Sequence, residues 1–190
     1  MSQNTLLFSP TTVGQLALQN RIAMAPMTRS RAIGNVPNDT MLEYYRQRNS
    51  AGLLITEGTS PSADGLGYAR IPGIFTQEQA DAWGRIANAV HEGGSKLVVQ
   101  LMHTGRIGHG LNLPEGSELI APSAIAAAGQ MWTDQQGMQD HPDGVRFTEF
   151  QGSVVRSHTR KTTSSNIKRN WFTWVLLVST PGASPGGTAA

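Results

Sequence analysis

The sequence predicts an α/β fold with a parallel sheet, and two observations carry this prediction. Three short apolar runs, at residues 21–25, 52–56 and 96–102, lack clean alternation, which is typical of strands buried on both faces. Helical patterns lie between them. The resulting order of strand, helix, strand, helix, strand favours parallel pairing with right-handed crossovers. With 190 residues the chain allows one ordinary domain.

A small hairpin is predicted ahead of the first strand. The apolar segments 6–8 and 16–18 are separated by turn residues 10–14.

Two helices are predicted between the strands. The first begins after Asn38, with Met41 and Tyr45 on its apolar face. The second has capping-box spacing at residues 76–79 and ends at the glycine pair 93–94.

The regular pattern weakens after the third strand. Residues 105–142 are rich in Gly, Pro, Asn and Gln and predict a long irregular, functional segment. From residue 143 onward no strand–helix alternation is visible, although 171–179 fits one strand or a short helix. We therefore divide the chain into a domain portion at 1–142 and a tail at 143–190, which we expect to be disordered or out of frame.

The charge of the chain is unevenly distributed. Residues 1–150 hold 10 basic and 13 acidic side chains, a balance of −3, while 151–190 hold five basic and no acidic ones, which gives +2 in total. A basic segment rich in Ser and Thr can contact nucleic acid. Because no nucleic-acid-binding motif accompanies it, a solvated extension is the favoured interpretation and no nucleic-acid partner is expected.

Composition excludes several classes of function. The chain has no cysteine, which excludes a disulfide framework, a thiolate nucleophile and an iron–sulfur cluster and fits a cytoplasmic protein. The first residues do not read as a signal peptide. The apolar run at 175–178 is far shorter than the ~20 residues of a membrane helix, so we expect no membrane partner.

Ligands of parallel α/β proteins bind at the carboxyl ends of the strands. Pro26 and Thr28 follow the first strand, Gly58 follows the second, and Gln100 interrupts the third apolar run. Burying an amide without partners costs about 1–3 kcal/mol. On spacing alone, Gln100 fits a ligand-binding amide and a satisfied structural amide equally well.

Two further residue types need an interpretation. His103 and His109 lie six residues apart with no carboxylate beside them, so lining or structural histidines are favoured over metal ligands and no metal is predicted. Tyr68 lies in a Gly-rich loop, where loop packing and ligand contact are both open.

Four motifs follow one another along the chain: Asn-Arg-Ile-Ala-Met-Ala-Pro-Met-Thr-Arg at 20–29, Leu-Ile-Thr-Glu-Gly-Thr at 54–59, Val-Gln-Leu-Met-His-Thr-Gly-Arg at 99–106 and Ala-Pro-Ser-Ala at 121–124. In this order they resemble the N-terminal part of the Old Yellow Enzyme family, nearest to its N-ethylmaleimide-reductase-like alkene reductases. The resemblance covers residues 5–142, the first two fifths or so of a full member.

The resemblance implies a (β/α)₈ TIM barrel, of which this chain supplies about three of eight strands, with the hairpin at the bottom. It also implies non-covalent FMN at the top of the barrel and NADPH or NADH as reductant for electron-poor alkenes such as enones and maleimides. By the same resemblance FMN is bound by Ala25, Pro26, Met27, Thr28, Gly58 and Gln100, and the substrate site is lined by Tyr68 and Met102. Many relatives carry Trp where this chain has Met102, and residues 129–133 match an insertion over the active site.

The family pattern fails just after Pro142. The His/Asn pair that holds the substrate oxygen, the tyrosine proton donor and the Gly-rich phosphate loops are not found, and the sequence around His158 is a different motif. We assign no catalytic residue in this chain. The expectation is a truncated, impaired ene reductase, and the alternative is a non-catalytic fragment or a half-barrel that needs a partner chain; the oligomeric state stays open.

Overall fold

The computed structural model describes residues 6–147 and 173–177. Their α-helices are α1 (Asp39–Arg46) and α2 (Gln77–Glu92). Their strands, in chain order, are β1 (Thr11–Val13), β2 (Leu16–Leu18), β3 (Ala23–Met24), β4 (Leu53–Ile55), β5 (Lys96–Met102), β6 (Ile120–Ala121), β7 (Gln130–Thr133), β8 (Gly137–Asp140), β9 (Arg146–Phe147) and β10 (Thr173–Leu177).

The central sheet has the strand order β10–β5–β4–β3. Strands β3, β4 and β5 run parallel, with Ala23 opposite Leu53 and Leu53 opposite Lys96. Helix α1 connects the first pair and α2 connects the second. The predicted alternation of strands and helices is therefore confirmed, as is the α/β class with an open sheet that corresponds to part of a barrel.

Both helices begin where their capping residues predict. The Asn38 side chain accepts a hydrogen bond from the Met41 N–H (3.1 Å). Thr76 Oγ1 accepts from the Gln79 N–H (3.2 Å), and Gln79 Oε1 accepts in return from the Thr76 N–H (3.1 Å), which completes a capping box. Neither helix is long and apolar enough to cross a bilayer, and the described residues contain no other α-helix.

The core lies between the two helices and the sheet. The Tyr45 and Trp83 rings have their centroids 5.9 Å apart, and the Trp83 indole N–H donates to the Gly73 carbonyl (3.1 Å). Leu54 of β4 and Leu97 of β5 close the cluster from the sheet side and are almost fully buried. Since apolar burial is the main favourable term in folding, this layer fixes the position of the strands whose ends carry the site.

The N-terminal hairpin forms, but with a different first strand from the predicted one. Strand β1 pairs antiparallel with β2, Val13 opposite Leu16, whereas residues 6–8 form turns. The prediction was wrong here because the turn lies at Gly14, whose φ of +58° favours glycine. After β2, the Gln19 side-chain N–H group donates to the Ala51 (2.9 Å) and Gly93 (3.0 Å) carbonyls, so the hairpin covers the amino ends of β4 and β5.

The segment after β5 is more regular than predicted. Strand β6 pairs parallel with β9, and β7 pairs antiparallel with β8, with Trp132 opposite Met138. Both of these side chains are about half exposed. The expectation of an irregular segment fails because this hairpin lies at the surface, where no apolar periodicity is required. Gly137, with φ of +71°, follows its turn.

The tail contributes one strand to the sheet. Strand β10 pairs antiparallel with β5, with Val175 opposite Gln100 and Leu177 opposite Val98. Of the two predicted alternatives for 171–179, the strand is the correct one, and the prediction of an irregular tail is wrong at these five residues. The free edge of β5 offers unpaired N–H and C=O groups, and Thr-Trp-Val-Leu-Leu has high strand propensity. The rest of the predicted tail after 147 lies outside the described residues.

Candidate functional site

The carboxyl ends of β3, β4 and β5 meet at one edge of the sheet, because the three strands are parallel. The structure therefore brings together the predicted site residues that follow each strand. Two contacts make the proximity explicit. The Arg29 main-chain N–H donates to Glu57 Oε2 (3.1 Å), and a Cβ on Gly58 would lie 2.6 Å from Met102 Sδ.

The segment after β3 faces solvent. Ala25, Met27 and Thr28 are exposed and Pro26 is half-buried. Exposed main chain next to the ends of buried strands is a surface that a planar ligand can approach without displacing core side chains. The roles predicted for these four residues remain predictions.

Gln100 presents an open amide at the same edge. Its main-chain N–H donates to Thr56 Oγ1 (3.2 Å) and its carbonyl accepts from the Thr59 N–H (2.9 Å), so the backbone is fixed. The half-buried side-chain amide makes no hydrogen bond to another described residue. The alternative interpretation, a structural amide whose hydrogen bonds are made within the fold, therefore has no support among those residues.

Gln100 and Met102 lie on one face of β5. The two side chains are half-buried, whereas Val99 and Leu101, on the opposite face, are buried. Met102 occupies the space that a side chain at residue 58 would need. Glycine at 58 is therefore required for packing against Met102, while its predicted approach to the cofactor stays a prediction.

The Tyr68 loop is held against the segment that follows β5. The Thr104 N–H donates to the Gly65 carbonyl (3.0 Å) and the His109 N–H to the Gly67 carbonyl (3.1 Å). Tyr68 is half-buried, and burial raises the pKa of its hydroxyl. The loop thus anchors Tyr68 beside the carboxyl end of β5.

The two histidines make local main-chain contacts. Nδ1 of exposed His103 accepts from the Gly105 N–H (3.0 Å), and Nδ1 of buried His109 accepts from the Leu111 N–H (3.1 Å). No group of three or more His, Asp or Glu side chains suited to a metal ion occurs within the described residues.

Sequence reasoning passed over Glu57. It belongs to the motif at 54–59 but is not among the site residues that the sequence predicts, yet the residue is only 1% exposed. Burial raises the pKa of Glu57, while the Arg29 N–H, the Tyr45 hydroxyl and the Arg29 charge act in the opposite direction. An acidic residue that interrupts a buried strand end is the signal that would have found it.

Two surface grooves lie away from this edge of the sheet, one beside Asp81 and Arg85 of α2 and one beside Arg70 and Asp134. The residues that would hold FMN fit that group by their chemistry: exposed residues after β3, a glycine after β4 and an amide on β5 that has no hydrogen-bond partner among the described residues.

Comparison with known proteins places this arrangement in a family. The sequence profile of the NADH:flavin oxidoreductase / NADH oxidase family matches residues 6–141. The chain is 47% identical over 116 residues to 12-oxophytodienoate reductase 7 of Oryza sativa subsp. japonica, a match that covers 60% of this chain and 29% of the relative. It is 47% identical over 129 residues to chanoclavine-I aldehyde reductase fgaOx3 of Penicillium roqueforti, covering 65% of this chain and 35% of the relative.

Solved structures give the same result. Morphinone reductase superimposes with a TM-score of 0.71 at 39% identity, over 79% of this chain and 41% of the reductase. The old yellow enzyme homologue from Zymomonas mobilis gives 0.69 at 41% identity, over 76% and 40%. The chain thus spans about a third of the length of the curated relatives that it matches. The predicted resemblance is confirmed: the chain belongs to the NADH:flavin oxidoreductase / NADH oxidase family of FMN-dependent NAD(P)H oxidoreductases, the family of the old yellow enzymes.

Proposed function

We propose that this chain supplies the first part of an FMN site that serves the reduction of electron-poor alkenes, with NADPH or NADH as reductant. One observation carries the proposal: the open Gln100 amide lies at the same sheet edge as the exposed main chain after β3. Family membership gives the cofactor, and the strand ends give the place where these residues would bind it.

In this proposal each residue has a distinct task. The main chain of Ala25, Pro26 and Met27 lies along the cofactor, and the Thr28 hydroxyl stands near its reactive edge. Gln100 offers both an N–H donor and a carbonyl acceptor to a polar ring edge. When bound, FMN supplies the hydride that reduces the alkene. The chain's residues bind and orient; none of them is assigned to donate the proton.

The substrate is proposed to be a small organic molecule, such as an enone or a maleimide. Relatives of this chain are named for 12-oxophytodienoate, chanoclavine-I aldehyde and morphinone, and a morphinone reductase structure holds tetrahydroNAD. Tyr68 and Met102 are the residues proposed to line the substrate side. Met102 packs on Gly58, so a flexible thioether would border this site.

A second candidate, a half-barrel that needs a partner chain for turnover, rests on the sheet itself. The described residues supply three parallel strands to the central sheet, and within them no strand pairs with the outer edge of β3. Open edges favour further strand pairing. In this case the chain would bind FMN but would not turn over alone.

The test is a titration of the purified chain with FMN, followed by visible absorption and circular dichroism. A perturbed flavin band together with alkene-dependent oxidation of NADPH or NADH supports the reductase. A perturbed band without turnover supports the half-barrel. A folded chain whose flavin spectrum stays that of free FMN overturns both, since neither then has a cofactor site.

Gln100→Leu is the variant that tests the site itself. Loss of one charged or polar ligand contact is expected to raise the Kd for FMN by about tenfold or more. Gln79→Leu, which alters a buried amide at the start of α2, is the matched control and should leave that Kd unchanged once folding is accounted for.

A further inference from the structure

A buried carboxylate lies between the two segments that are proposed to bind FMN. Glu57 follows β4, precedes Gly58 and is 1% exposed. Carboxylates are rarely buried unless they are hydrogen-bonded, because desolvation of the charge is costly. The proposed function assigns Glu57 no task, so the burial and the hydrogen bonds of its carboxylate need another explanation.

Both carboxylate oxygens have partners from other elements. Oε2 accepts from the Arg29 main-chain N–H (3.1 Å) and Oε1 lies 3.5 Å from the Tyr45 hydroxyl on α1. That hydroxyl in turn accepts from the Glu57 main-chain N–H (2.9 Å). The side chain thus links the end of β4 to α1 and to the residue just after the exposed segment 25–28.

The main chain of Glu57 reaches the other side of the site. Its carbonyl accepts from the hydroxyls of Thr56 and Thr59, both at 2.9 Å. Thr56 Oγ1 also accepts from the Gln100 N–H (3.2 Å), and the Thr59 N–H donates to the Gln100 carbonyl (2.9 Å). One residue is therefore connected to Arg29 on one side and to Gln100, through two threonines, on the other.

The segment between β3 and Arg29 has little else to hold it. Ala25, Met27 and Thr28 are exposed, and residues 26–28 form no hydrogen bond with the rest of the described chain. Beyond the Glu57 contact, the Arg29 guanidinium lies 5.4 Å from the centre of the Tyr44 ring, a second and weaker attachment.

From these contacts we propose that Glu57 is a positioning residue, whose carboxylate fixes segment 25–28 through the Arg29 amide at a set separation from Gln100. The inference rests on the proposed FMN site. A neutral Gln at 57 retains an acceptor oxygen for the Arg29 N–H, whereas Ala retains none. Rescue by Gln therefore separates positioning by hydrogen bonding from a need for negative charge.

The decisive measurement is amide hydrogen exchange of the full chain without FMN. Wild type is expected to protect the Arg29 amide. Glu57→Ala should speed its exchange by about tenfold or more, the factor that corresponds to losing a hydrogen bond to a charged group. Glu57→Gln should change it less than about threefold, and the amides in the middle of α2 should change less than about twofold in either variant.

Gln79→Ala is the matched control. The Gln79 side chain is also buried, and its Oε1 accepts a main-chain N–H from Phe75 (2.9 Å). This variant should accelerate exchange at Phe75 and Thr76 and leave the Arg29 amide unchanged. An unprotected Arg29 amide in wild type, an unchanged one in Glu57→Ala, or equal acceleration throughout α2 would each overturn the positioning role.

FMN titration of the same proteins distinguishes failure of this inference from failure of the FMN site. If wild type binds, Glu57→Ala should raise the Kd about tenfold and shift the flavin band, with recovery in Glu57→Gln. An unchanged Kd in Glu57→Ala overturns the inference. If wild type does not bind FMN while the exchange pattern is as expected, the cofactor proposal fails and the fixing of segment 25–28 by Glu57 stands.

Discussion

The two ends of the parallel sheet differ in how far their glutamine side-chain amides are hydrogen-bonded. At the amino end, the Gln19 side-chain N–H group donates to the Asn49, Ala51 and Gly93 carbonyls, so the fold occupies this donor. At the carboxyl end, the Gln100 side chain has no partner among the described residues. The same functional group is hydrogen-bonded within the fold at one end and, in our proposal, is available to a ligand at the other. This division between a stabilising end and a binding end is the one that barrel folds show in general.

The largest expected effect concerns close packing at the amino end. A Cβ on Gly52 would collide with the Asn20 main-chain carbonyl, which cannot move aside as a flexible side chain can. Gly52→Ala is therefore expected to lower the free energy of unfolding by about 3 kcal/mol. The measurement is urea denaturation followed by circular dichroism.

Gly84→Ala is the control for that substitution. Gly84 lies within α2 with nothing within 4 Å of an added Cβ, so the change should stabilise by about 0.5–1 kcal/mol. Similar losses in the two variants would contradict the packing argument.

The second effect compares the side-chain amides of the two ends directly. Asn20 is 7% exposed, its Nδ2 donates to the Ser50 carbonyl (2.7 Å) and its Oδ1 accepts from the Ile22 N–H (3.0 Å). Asn20→Ala should lower the free energy of unfolding by about 2 kcal/mol, because the Ser50 carbonyl and the Ile22 N–H both lose the partner that the buried Asn20 amide supplies. Gln100→Leu should change stability by less than about 0.5 kcal/mol, since no hydrogen bond to the described residues is lost.

Equal losses of unfolding free energy in Asn20→Ala and Gln100→Leu would contradict the difference between the two ends. Thermal unfolding of both variants at one pH and one protein concentration is sufficient to decide it.

The third effect is a small one at the binding end. In Gly58→Ala the new Cβ meets mainly the far end of the Met102 side chain, which can rotate away. We expect a loss of about 1 kcal/mol. Because the collision is with Met102, the double variant Gly58→Ala/Met102→Ala should cost less than the sum of the two single changes.

A double-mutant cycle by urea denaturation measures this coupling. Strict additivity of the two changes would show that residues 58 and 102 do not share the same space in solution.

The smallest expected effect is on pH dependence. The pKa of Glu57 is raised above its ordinary value of 4.5 because the carboxyl is buried. The favourable contribution of protonated Glu57 to the free energy of unfolding is fully present below pH 4.5. It is lost as the pH rises through the folded-state pKa, since the buried group must then ionise. Relative to Glu57→Gln, wild type should therefore lose stability as the pH rises.

Glu43→Gln should reveal a pH dependence of stability with the opposite sign. A hydrogen bond from Arg46 lowers the pKa of exposed Glu43, so its contribution is present above the ordinary value and is lost as the pH falls. Chemical denaturation from about pH 3 to 8 checks both slopes, and a stability excess of wild type over Glu57→Gln that grows with pH would contradict the first.

Sequence reasoning succeeded where local rules and burial agree. The capping box at Thr76 and the apolar run of β5 give the right elements because both depend on nearby residues. The gathering of residues 28, 58 and 100 at one edge follows from strand order alone.

The failures have a common physical cause: the signal lies in distant or surface contacts. The β7–β8 hairpin is exposed and has no apolar periodicity, and the first hairpin strand depends on where Gly14 places the turn. The partners of Glu57 come from residues 12 and 28 positions away, which no spacing rule connects.

Strand β10 occupies the outer edge of β5, where the next strand of a barrel would have to pair. It runs antiparallel along residues 98–102, whereas a barrel strand joined by a right-handed crossover would run parallel there. One row of N–H and C=O groups pairs with one strand at a time. Any segment that extends the barrel sheet past β5 must first displace β10, which forms five residue pairs with β5. Growth of the barrel on this side is therefore a strand-exchange reaction whose extent depends on the concentration of the incoming strand.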